Sequence, residues 1–72
     1  MEFIYTLHAR ERMLERGVTE DEILYVLFRY SLTFPSDNGG TSLLAYFPDG
    51  SQLTVWVANP MPITEPIILK SV

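Results

Sequence analysis

His8 and Arg12 stand four residues apart, and Arg16 continues the row at the same spacing. On a helix this spacing places all three side chains on one face. An imidazole titrates near neutrality, which suits a general acid or base. A guanidinium offers a fixed fork of donors that matches phosphate oxygens and the charge of a pentacoordinate phosphorus. Together these residues have the chemistry of RNA cleavage. In that reading His8 is expected to serve as acid or base and Arg12 to act on the phosphate, with Arg16 and Arg10 as further substrate contacts. A structural use fits the same residues. A histidine near a helix N-terminus also hydrogen-bonds backbone or a carboxylate, and Arg12 has Glu11, Glu15 and Glu22 as candidate ion-pair partners. In that reading the arginines tie one helix to an acidic neighbour.

Other chemistries have thinner support. His8 with Glu11 or Glu15 gives at most three ligands on one helical stretch and no second cluster, so no metal site is expected. The chain has no cysteine, which excludes a disulfide framework, a thiolate metal site and a cysteine nucleophile. Ser36, Ser42 and Ser51 have no second histidine or neighbouring base to form a triad. Gly39-Gly40 lacks the lysine and following helix of a phosphate loop and reads as a hinge. No cofactor is implied.

The elements that must position these residues are legible from local signals. Residues 2–6 are β-prone, and Thr6 can cap a helix from Leu7 to about Arg16, with Ala9, Met13 and either Leu14 or Leu7 as its apolar stripe. Gly17 ends it. Thr19-Glu20-Asp21-Glu22 is a capping box, and Val18 and Ile23 occupy the positions of a hydrophobic staple. Ile23, Val26, Leu27 and Tyr30 then recur at helical spacing, widened by Leu24 and Phe28, over about residues 20–30. Ser31–Phe34 is a short strand and Pro35–Gly40 a loop. Thr41–Phe47 and Gln52–Ala58 flank a turn at Pro48–Ser51, with Leu53, Val55 and Val57 facing in and Trp56 facing out. Asn59–Pro62 breaks the sheet, and Pro66–Leu69 closes it. The order β-α-α-β-β-β-β predicts a single α+β domain with two N-terminal helices packed on one face of a small antiparallel sheet.

The string His8-Ala9-Arg10-Glu11-Arg12-Met13-Leu14-Glu15-Arg16-Gly17-Val18 resembles the opening helix of a bacterial family, domain of unknown function 4258. That family begins His-Ala-x-x-Arg-Met-x-x-Arg-Gly-Ile/Val. The likeness continues through the capped second helix at Thr19–Tyr30 and, more loosely, through Leu43–Val57 and Pro66–Val72. It implies a fold similar to the RelE-like toxins, some of which are endoribonucleases, and an antitoxin-like protein as partner.

Composition pulls another way. Five basic residues stand against nine acidic ones, a net charge of −4, and the pI is near 4.6. Such a chain repels phosphate unless the local cluster Arg10, Arg12 and Arg16 reverses the field. The strands from Thr41 onward carry almost no charge, and uncharged, two-sided strands invite pairing. The alternative is therefore a non-enzymatic interaction domain that binds a protein partner or forms a homodimer through its sheet. Seventy-two residues bury only a modest core, which a dimer would enlarge. No apolar run is long enough for a membrane span. Met1–Leu7 lacks the basic start of a signal peptide, so a cytoplasmic location is expected.

Overall fold

The computed structural model describes residues 2–72. Its helices start where side chains satisfy the backbone groups that a helix end leaves unpaired. Thr6 Oγ1 accepts the Ala9 amide and opens α1, Leu7–Arg16. Gly17, at φ 65°, closes α1 in the left-handed conformation that glycine adopts without strain. Before α2, Glu20–Arg29, Thr19 Oγ1 accepts the Glu22 amide at 3.2 Å, and Glu22 Oε1 accepts the Thr19 amide at 2.8 Å. All three caps are those expected.

The sheet has the order β1-β5-β4-β3-β2. Its strands are β1 Phe3–Tyr5, β2 Leu32–Pro35, β3 Thr41–Tyr46, β4 Gln52–Val57 and β5 Ile67–Ser71. Neighbours from β2 to β5 run antiparallel. β1 differs from the expected antiparallel sheet, because it lies parallel to β5, with Phe3 opposite Ile67 and Tyr5 opposite Leu69. A parallel pair needs a long crossover, and here the intervening helices and hairpin supply it. β5 also begins one residue later than expected and runs two further. Pro66 has no N–H for the ladder, so pairing starts after it, and the strand carries Lys70 and Ser71 into the sheet.

α1 packs on β5, and α2 packs on β3 and β4. Under them Ala9, Ile23, Val26, Leu43, Val55, Val57 and Leu69 are fully buried. Leu7 and Leu14 do not join this core, at 74% and 85% exposed. A helix resting on one strand near the sheet edge buries a narrow stripe, which Ala9 and half-buried Met13 fill. Phe28 is likewise exposed, at 65%, so it does not widen the buried stripe of α2 as expected.

Two polar devices fix the connections. At the hairpin tip Asp49 Oδ1 accepts the Ser51 amide at 2.9 Å and the Ser51 hydroxyl at 2.6 Å. The hydroxyl, then the amide, hold its carboxyl below the usual carboxylate value. Between β4 and β5, Asn59 Nδ2 donates to the carbonyls of Thr64 and Pro66, and its Oδ1 accepts the Ile68 amide, all at 2.9 Å. Among the described residues no helix is long and apolar enough to cross a membrane.

Candidate functional site

The start of α1 is pinned to β5. The Thr6 amide donates to the Leu69 carbonyl at 3.1 Å, and the Thr6 hydroxyl donates to the Lys70 carbonyl at 3.3 Å. The first two turns of α1 therefore run beside the end of β5. His8 and Arg12 line a cleft of ≈ 370 Å³ there, together with Lys70, Ser71 and Val72. Trp56 of β4 lines it too. Its register partner is Ser71, at a shift in the β4–β5 ladder between Trp56 and Val57. Such shifts increase local twist and re-aim a side chain.

Ser36 and Asp37, in the connection from β2 to β3, complete the cleft. That connection lies against β4 because residue 40 is glycine. A Cβ there would sit 2.5 Å from the Val57 carbonyl oxygen and 2.9 Å from Ser36 Oγ. The Gly39-Gly40 pair thus serves close packing at its second position. Ser36 Oγ is buried with no hydrogen-bond partner.

Charge in the cleft departs from that of the whole chain. Of its charged side chains, Arg12 and Lys70 are cationic and Asp37 anionic, on a protein of net charge −4. His8 is exposed, whereas Arg12 and Lys70 are half-buried. Arg12 reaches Glu15 Oε1 at 3.3 Å, one of the ion pairs the spacing allows. The Glu15 side chain is 62% exposed, so this contact is weak and screened, and a phosphate can displace it.

The other two arginines lie elsewhere. The Arg10 guanidinium sits 5.3 Å over the Tyr5 ring, on the opposite flank of α1, in a hollow shared with Met13, Leu14, Val18 and Glu20. There the Tyr5 hydroxyl is buried and lacks a well-formed hydrogen bond. Burial first, and the Glu20 carboxylate second, push its pKa up to about 12, while Arg10 acts in the opposite sense. Arg16 is exposed in the last turn of α1, where a cation suits the negative helix end, and lines neither hollow.

The structure thus gathers His8 and Arg12 and leaves Arg10 and Arg16 outside. It adds Lys70, Trp56 and Ser36, which spacing on one helix cannot reveal. Lys70 had one usable signal: alternation with buried Leu69 in a strand read through to Ser71 turns it away from the core. Among the described residues no group of three His, Cys, Asp or Glu is placed to hold a metal ion. The lining brings an imidazole, a guanidinium and an ammonium to one cleft, groups whose chemistry suits a phosphodiester. No family model, curated protein or solved structure matches the chain.

Proposed function

We propose that this protein is an RNA-cleaving domain of the RelE-like toxin type, related to domain of unknown function 4258. The observation that carries the reading is the convergence of His8, Arg12 and Lys70 on one cleft, from a helix and a strand far apart in the chain. The sequence string His8–Val18 supports it independently. Arg12 and Lys70 hold the phosphate. His8 takes the proton from the 2′-hydroxyl, and the 2′-oxygen attacks phosphorus. The bond from phosphorus to the 5′-oxygen breaks, leaving a 2′,3′-cyclic phosphate, and water in the open cleft protonates the departing oxygen. With a single histidine in the chain, solvent rather than a second imidazole fills that last role. The test is cleavage of a labelled RNA by the parent, His8→Ala and Arg12→Ala, with folding followed by circular dichroism. Folded variants without activity support the assignment. Equal cleavage by parent and His8→Ala removes it.

A second reading rests on the sheet face turned away from the helices. β2, β3 and β4 carry no Asp, Glu, Lys or Arg, and Leu32, Phe34 and Tyr46 are about half exposed there. Such a surface suits a second copy or an antitoxin-like protein. Sedimentation of the parent over a wide concentration range checks the first of these. A monomer throughout, with no change on Phe34→Ser, speaks against self-association.

A further inference from the structure

Trp56 is the only tryptophan of the chain, and its place in the cleft is unexplained by phosphate binding. Its side chain alternates with buried Val55 and Val57, is 36% exposed, and lines the cleft that His8 and Arg12 also line. Its register neighbours are Ser42 on β3 and Ser71 on β5, both too small to cover an indole. Among the described residues the aromatic stacks pair Phe3 with Tyr5 and Tyr25 with Phe47, and the arginines over rings lie on Tyr5 and Tyr25. Trp56 therefore offers a ring free of aromatic or cationic partners beside Arg12 and Lys70.

We infer that Trp56 is a stacking platform for one unpaired base, so that the cleft takes single-stranded RNA and rejects a duplex. This rests on the ribonuclease reading and adds to it. Aromatic rings stack on any base whose face is free, with little regard to sequence. In a duplex both faces of each base are already covered, and A-form geometry keeps them from side chains. A single strand can lay its phosphate on the two cations and turn the adjoining base onto the indole. Trp56 is thus a substrate-positioning residue that selects for unpaired RNA.

The sole tryptophan reports on its own contact. The probe is a labelled RNA oligonucleotide with 2′-O-methyl groups throughout, which caps the attacking hydroxyl and prevents cleavage. It is titrated as a single strand and annealed to its complement, at low salt, with anisotropy and tryptophan emission read together. The single strand is expected to bind and quench Trp56, and the duplex to bind more weakly. Trp56→Phe keeps a ring and should bind close to the parent, whereas Trp56→Ala should lose about 5- to 150-fold. Binding with unchanged emission, and with Trp56→Ala equal to the parent, overturns the stacking while leaving the RNA reading intact. No anisotropy change with the parent overturns the RNA reading and the stacking with it. If Trp56→Ala does not fold, quenching of the parent and the affinity of Trp56→Phe decide.

Discussion

The two flanks of α1 use the same residue types to different ends. On one, His8 and Arg12 look across an open cleft to Lys70 and Trp56. On the other, Arg10 covers Tyr5 beside Glu20. The two arginines are two residues apart, and only the strands beneath separate their roles. The first flank runs beside the polar end of β5, whereas the second meets β1 and the start of α2. An arginine beside an acid and a ring is already engaged by its own protein. An arginine whose acid is exposed, and whose neighbours are a lysine and an unpartnered indole, is available to a ligand.

The largest effect should come from the floor that both flanks share. Leu69 is fully buried on β5 and its carbonyl receives the Thr6 amide. Leu69→Ala should cost about 2–5 kcal/mol in urea unfolding and impair both flanks together. If one flank survives this loss, the two do not share a foundation.

The next test separates them. Arg12→Ala should weaken binding of single-stranded RNA by roughly 10-fold or more, the scale of a lost charge-assisted hydrogen bond. Arg10→Ala should leave it unchanged. The parent's affinity should fall with salt at a log–log slope of about −0.7, as expected for one phosphate neutralised on a single strand. Equal losses from the two arginine variants would erase the contrast and favour a diffuse field over a site.

Smaller effects belong to the second flank. Thr19→Ala removes the cap that precedes Glu20 and should cost about 1 kcal/mol in thermal or urea unfolding, with RNA cleavage by the folded variant unaltered. Smaller still is an alkaline effect from Tyr5. The folded protein holds its proton to about pH 12 from an ordinary value of 10.0, while the unfolded chain releases it near the ordinary value. Unfolding then sheds a proton in that window, so stability is full below it and falls as pH rises through it. Tyr5→Phe should flatten that part of the urea midpoint curve. An unchanged curve means that the hydroxyl is not held in its neutral form by the fold.

What was legible in the chain was whatever local chemistry decides. Thr6, Gly17, Thr19 and Glu22 act within a few residues of themselves, so both helices had the expected caps. Val55, Trp56 and Val57 followed alternation, with Trp56 outward and its neighbours buried. Leu7, Leu14 and Phe28 were misplaced because helical spacing shows which residues share a stripe, not how wide a surface the sheet offers to cover it. The candidate site was half legible for a related reason. His8 and Arg12 are joined by helix geometry, but Ser36, Trp56 and Lys70 reach them through the β5 register and the close approach at Gly40, which are long-range facts.

The parallel pairing of β1 with β5 sets an order of events during synthesis. β1 and α1 leave the ribosome early, but the strand that seats them is translated only after the whole hairpin. Until Ile67–Ser71 emerges, Thr6 has no carbonyls to hold, and Ala9 has no floor. The helix that carries His8 and Arg12 must wait in the nascent chain as a marginal isolated element. The cleft, and any activity it supports, is therefore completed only once β5 has emerged and paired with β1.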